Sequence, residues 1–184
     1  LAVQDEAVAK KLLRPKAVYK FFQAGSEGDD LVLLNPDRRE AARFHFLRQK
    51  GGDSLCLADF TAPLGVEPPD TVCLFVTTCG GGIRDLAEDL KQKGEYLKSH
   101  ALQALALESA VAFAELLHHW IREMWGTKDP ETMTMEERWQ ARYQGIRVSF
   151  GYPACPRLED QDLLFRLLEP EKHIGVTHTE EHMM

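Results

Sequence analysis

The sequence predicts an α+β fold: an antiparallel, twisted sheet with a long central buried helix and peripheral helices. Three observations lead there. Strand-like runs fill residues 17–78 and helical runs follow, a segregation that favours antiparallel pairing over the alternating order of a parallel sheet. Turn signals such as Asn35-Pro36 and Gly80-Gly81-Gly82 separate the runs. The stretch from Tyr96 to Trp125 holds neither glycine nor proline, so nothing in it stops a helix.

Taken in order, Ala2 to Leu13 reads as a short amphipathic helix stopped by Pro15. Ala17 to Phe22 reads as a strand, Gly25 to Asp29 as a turn, and Leu31 to Leu34 as a second strand. Arg43 to Arg48 alternates Phe44 and Phe46 with Arg43 and His45, as a half-buried strand does. Thr71 to Thr78 is a fourth, largely buried strand. The three glycines at 80–82 then lead into a charged helix, Arg84 to Lys93. Alanines at 101, 104, 106, 110, 112 and 114, set between leucines, make the long helix apolar nearly all round, which predicts burial. Met135 to Tyr143 is a further helix capped by Thr134, and Asp160 to Leu168 another, ended by Pro170.

Composition narrows the function. With 184 residues, 44% hydrophobic and 28% charged, the chain reads as a single domain with a real core. A net charge of −7 without a basic stripe argues against a nucleic-acid partner. No apolar run approaching the ~20 residues of a membrane span is evident, so no membrane partner is expected. Cys56, Cys73, Cys79 and Cys155 form no CxxC pair; they read as reduced cytosolic thiols, with no structural zinc site.

The glycines at 80–82 fit neither G-x-G-x-x-G, since position 85 is Asp85, nor a P-loop, and read as a turn. His178 to His182 matches the inverted zinc-protease pattern HxxEH but reads as a solvated tail. The chain starts without an initiator methionine and stops abruptly, which reads as a fragment of a longer protein.

The chemistry concentrates in Arg147-Val148-Ser149-Phe150-Gly151-Tyr152-Pro153-Ala154-Cys155-Pro156. Pro153 and Pro156 fix their own φ and push Tyr152 and Cys155 toward extended backbone, while Gly151 takes dihedrals closed to other residues. The expected result is a stiff, extended loop that holds Tyr152 outward. Arg147 can clamp a carboxylate with two parallel hydrogen bonds. On the long helix Glu108, Glu115 and Arg122 recur every seven residues and share a face. They form either a salt-bridged stripe with His118 and His119, or an acidic surface toward a cationic ligand. Cys155 reads as a small buried filler.

This R-x-x-x-G-Y-P-A-C-P loop resembles the S-adenosylmethionine-binding signature of the activation domain of cobalamin-dependent methionine synthase. Tyr143-Gln144-Gly145-Ile146, Glu171 to Gly175, Leu57 to Pro63, Ala112 to His118 and Trp125-Gly126 also resemble family segments, in order. The resemblance implies a C-terminal reactivation domain of a larger methyltransferase of methionine biosynthesis, one that moves a methyl group from 5-methyltetrahydrofolate to homocysteine. It implies that Arg147 clamps the methionine carboxylate, that backbone groups of Val148 to Gly151, Ser149 among them, bind adenosine, that Tyr152 lies near the sulfonium methyl and the approaching corrin, and that Pro153 belongs to the same binding loop. Glu108 and Glu115 would face the ligand's positive charges. No residue here is implied as a catalytic acid, base or metal ligand.

The family places an acidic residue four positions before Glu115. This chain has Val111 there, so the ligand's amino group is expected to be held differently. Cobalamin would be bound by a separate domain, since no Asp-x-His-x-x-Gly motif occurs here. Flavodoxin or an equivalent reductase would supply the electron, in the cytoplasm. The family's last segment, which adds aromatic residues beside the ligand, is expected beyond Met184. Two other readings are a non-catalytic cap for a cobalamin domain and a reactivation domain of another corrinoid methyltransferase.

Overall fold

The computed structural model describes residues 2–181. The elements are α1 (Ala2–Ala9), β1 (Lys16–Glu27), β2 (Asp30–Leu34), β3 (Glu40–His45), β4 (Asp70–Thr78), α2 (Ile83–Gln92), α3 (Tyr96–Trp125), α4 (Met135–Trp139), α5 (Asp160–Leu168) and α6 (Pro170–Ile174). They build an α+β fold on a four-stranded sheet in the order β3-β2-β1-β4. The β1–β2 and β2–β3 pairs are antiparallel. Two compact units divide the chain: residues 1–18, 76–146 and 170–176, and residues 19–75, 147–169 and 177–184.

The sheet unit buries one continuous core. Phe22 and Ala24 of β1, Leu31 and Leu33 of β2, and Ala42 and Phe44 of β3 alternate inward, as the two-residue period of a strand requires. Cys56, Ala58 and Cys155 close the cluster from loops. Arg48 ties the surrounding loops together, with Asp29 at 2.7 Å and Asp59 at 2.7 Å. Both β1 and β3 depart from expectation. The chain stays in β1 through Gly25 and Ser26, and only Gly28 and Asp29 turn. The reason is a close approach: Ser26 accepts from the Leu64 amide at 2.8 Å, and a Cβ on Gly25 would sit 2.8 Å from the Leu64 Cα. Strand β3 starts earlier and ends at His45, although Phe46 remains buried.

In the helical unit, α2 and α1 pack on α3. Leu90 and Ala87 of α2 and Leu102 of α3 are buried, and the Ser99 hydroxyl donates to the Ala87 carbonyl at 2.6 Å. Helix α3 has the expected bounds. Gly126, at φ 92°, ends it by taking the left-handed conformation at its C-cap. Its burial differs from expectation: Leu102, Ala114, Leu117 and Ile121 are buried, whereas Leu107, Val111, Leu116 and Trp120 are exposed. An alanine-rich helix reads as apolar on every face whichever face packs. By length and composition alone, α3 is also the one helix among the described residues long and apolar enough to cross a membrane, although charged residues interrupt its apolar run.

Thr134 caps α4 as expected, its hydroxyl accepting from the Glu137 amide at 3.2 Å and the Glu137 carboxylate accepting from the Thr134 amide at 2.8 Å. Helix α4 stops at Trp139, short of Tyr143, and α1 stops at Ala9. Pro170 opens α6 rather than only ending α5, because proline suits the first position of a helix, where no amide partner is needed.

Candidate functional site

The segment after α4 alternates between anchored and outward residues. Phe150 packs its ring against Phe44 at 5.9 Å between centroids, and Cys155 is 3% exposed within the sheet unit's core. Between and beside these anchors, Val148, Ser149, Gly151, Tyr152 and Pro153 face solvent. Tyr152 is 66% exposed. Arg147 is half-buried.

This segment folds into a tight turn and not the extended loop expected from its prolines. The Cys155 amide donates to the Tyr152 carbonyl at 2.9 Å, and the Gly151 amide donates to the Cys155 carbonyl at 2.9 Å. Pro153 follows Tyr152 in the turn, where its fixed φ favours reversal. Gly151 stands at φ 87°, a conformation that costs an L-residue free energy, and a Cβ there would meet Leu158 Cδ2 at 3.0 Å. Burial and the negative charge of Asp160 push the Cys155 thiol up to about 11, so at neutral pH it is protonated and a poor nucleophile.

Arg147, Val148, Ser149, Gly151, Tyr152 and Pro153 therefore lie on one segment of the sheet unit. Glu108 and Glu115 belong to α3, in the helical unit. Glu108 is exposed. Glu115 is half-buried, and the Tyr143 hydroxyl donates to its Oε2 over a long 3.5 Å. Arg122, the third member of that heptad series, is 2% exposed. Its Nε and Nη2 donate to the two Asp129 oxygens at 2.9 and 2.7 Å, and its Nη1 donates to His118 Nδ1 at 2.8 Å. The guanidinium carbon lies 3.7 Å from the centre of the Tyr143 ring. So the heptad stripe splits, with a solvated carboxylate at Glu108 and a buried ion pair at Arg122.

Little in the sequence marks Asp129 as the partner of Arg122. The one signal was Gly126: a left-handed glycine after a helix turns the chain back, which sets a residue three positions later beside the last helical turns. His119 adds a 3.0 Å contact to Asp129 Oδ2. The guanidinium of Arg122, followed by His119, holds the Asp129 carboxyl down to about 2.

Glycines 80–82 act as a turn. Gly82 caps α2 with φ 88°, and a Cβ on Gly80 would press on the Arg14 carbonyl at 2.8 Å. In the tail, His178 packs edge-on to Phe165 at 4.5 Å and lies 3.3 Å from Asp162, while His182 of the HxxEH pattern lies outside the described residues. Among the described residues no cluster of three His, Cys, Asp or Glu side chains could hold a metal ion.

Comparison with known proteins gives three results. The family described as vitamin B12 dependent methionine synthase, activation domain, matches residues 2–184. Methionine synthase of Mycobacterium tuberculosis is 37% identical over 92% of this chain, and that of Mycobacterium leprae 36% identical over 89%. This chain spans 15% of the length of each of those relatives. A crystal structure of the MetH reactivation domain bound to AdoHcy superimposes with a TM-score of 0.89 at 35% identity, covering 97% of this chain and 57% of that one.

Proposed function

The chain belongs to the activation-domain family of vitamin B12-dependent methionine synthase, and on that premise we propose that it binds S-adenosylmethionine and presents its methyl group to reduced cobalamin. The reading places this activity in a longer methionine synthase, in the cytoplasm. The carrying observation is the exposed, hydrogen-bonded turn at 149–155, in a chain that matches a reactivation domain bound to AdoHcy over 97% of its length.

The residues fit such a ligand. Tyr152 offers an exposed aromatic face beside the exposed residues Val148, Ser149 and Gly151. Arg147 is assigned to the methionine carboxylate, because a guanidinium fork matches a carboxylate with two hydrogen bonds. Tyr152 and Pro153 are assigned to the sulfonium end.

Cobalamin, held by a separate domain, would supply a strongly nucleophilic reduced cobalt as the methyl acceptor, with the electron coming from flavodoxin or an equivalent reductase. Transfer of the methyl group to that acceptor's electron pair would break the sulfur–methyl bond with its own pair staying on sulfur, leaving S-adenosylhomocysteine. A sulfonium is already a good leaving group, so no general base is required. This chain's residues are left with binding and orientation, the work that turns an encounter into an aligned complex. The acidic net charge, without a basic stripe, supports a small-molecule and protein partnership rather than nucleic acid.

The test is a full-length parent enzyme carrying Arg147→Ala. The expected result is loss of S-adenosylmethionine-dependent reactivation, with the initial rate of methyl transfer from methyltetrahydrofolate to homocysteine retained. Unchanged reactivation would overturn the assignment.

A further inference from the structure

Cys155 stands out among the residues of the turn because it faces inward yet holds the outward ones. Its amide donates to the Tyr152 carbonyl and its carbonyl accepts from the Gly151 amide, both at 2.9 Å. Its Sγ lies 2.9 Å from the Ser149 carbonyl oxygen. Those three partners, Ser149, Gly151 and Tyr152, are the exposed residues assigned above to the ligand. The side chain itself is 3% exposed and belongs to the sheet unit's core cluster, so the residue joins the turn to a rigid base.

A buried filler needs only volume and an apolar surface, and alanine or valine would serve. A donor aimed at the Ser149 carbonyl does more. It adds to the long 3.4 Å contact that the same carbonyl receives from the Tyr152 amide. It also ties Ser149 to Cys155 across six residues, closing the base of the turn. The thiol stays protonated at neutral pH, as donation requires.

We propose that Cys155 is a positioning residue for ligand binding: its thiol donates to the Ser149 carbonyl and holds the turn in the shape that presents Ser149, Gly151 and Tyr152. The proposal rests on the assignment of S-adenosylmethionine to this turn. Preorganisation of this kind raises affinity by removing the ordering cost at binding.

Two variants separate positioning from filling. Cys155→Ala removes the donor and keeps an apolar side chain. Cys155→Ser keeps a donor and adds a polar group to an apolar site. Calorimetric titration of the 184-residue chain with S-adenosylmethionine is expected to show Cys155→Ala binding about tenfold more weakly than wild type and Cys155→Ser within about threefold of it. Thermal melting is expected to place the two variants close together, since serine adds a polar group but satisfies it on the Ser149 carbonyl, while alanine leaves that carbonyl without the donor. Affinity that follows melting temperature, with alanine as good as or better than serine, would show a filler and overturn the proposal.

Hydrogen exchange on the unaltered, ligand-free chain supplies the arm that needs no variant. The Gly151 and Cys155 amides are expected to be protected. Rapid exchange at both would mean that the turn is not preformed, which also overturns the proposal. If wild type fails to bind S-adenosylmethionine at all, the functional assignment has failed, and the exchange result still judges the turn.

Discussion

Arg122 and Asp129 form a two-pronged ion pair, with Nε to Oδ1 at 2.9 Å and Nη2 to Oδ2 at 2.7 Å, and both side chains at or below 2% exposure. Few charges are buried this completely unless each supplies the other's hydrogen bonds. The pair fastens the end of α3 to the segment that leaves it, and the Tyr143 ring stacks on the guanidinium. Removing one partner strands the other.

Asp129→Ala is therefore expected to cost about 3–5 kcal/mol of unfolding free energy, because it leaves the Arg122 charge buried without its carboxylate. Urea unfolding of wild type and variant measures this. A loss below about 1 kcal/mol would mean that the pair is solvated in solution.

The same carboxylate makes an acid-stability prediction. Its pKa is lowered from 3.8 to about 2 in the folded chain. A lowered folded pKa contributes stability above the unfolded pKa and loses it as pH falls through the folded one. The Asp129 contribution is thus present at pH 5 and lost between about pH 4 and pH 2, amounting to about 2 kcal/mol. Melting temperature measured down that window is expected to fall more steeply for wild type than for Asp129→Ala. Parallel curves would remove Asp129 from the account.

Gly151→Ala tests the turn itself. The new Cβ would be held at φ 87° and would meet Leu158 Cδ2 at 3.0 Å. The expected cost is about 1–2 kcal/mol of stability, together with weaker S-adenosylmethionine binding. Stability and binding both at wild-type values would show that the turn adopts another conformation.

Gly25→Ala tests a different use of glycine. The Cβ would fall 2.8 Å from Leu64 Cα and 3.1 Å from Leu64 N, both backbone atoms that cannot swing aside. A loss of about 1–3 kcal/mol is expected. Ligand affinity is expected to stay near wild type in the folded fraction, since Gly25 lies in β1, apart in sequence from the 147–153 segment. An unchanged unfolding midpoint would show that the 61–66 segment does not cross β1 this closely.

These residues show why some of the molecule was legible in the sequence and some was not. Helix α3 could be bounded from Tyr96 to Trp125 because no glycine or proline interrupts it and Gly126 follows. That residues 147–156 form a constrained segment outside any helix was legible because glycine and proline spacing is a backbone constraint written locally. Its shape was not, since reversal at Pro153 depends on Phe150 and Cys155 being drawn into a core built by β1 to β3. Gly25 read as a turn residue because sequence does not distinguish a glycine that bends from one that makes room. The heptad series misled in the same way. Glu108 and Arg122 share a face of α3, yet one is solvated and the other buried, and the difference comes from Asp129 and Tyr143 folding back from elsewhere.

The most direct test of the central claim is calorimetric titration of this 184-residue chain with S-adenosylmethionine, beside its Arg147→Ala variant, each first shown to melt cooperatively. The account expects saturable one-to-one binding by wild type and a loss of about a hundredfold or more in the variant, the size expected when a charged, two-pronged hydrogen bond is removed. Equal binding by the two chains, or none by the folded wild type, would contradict it.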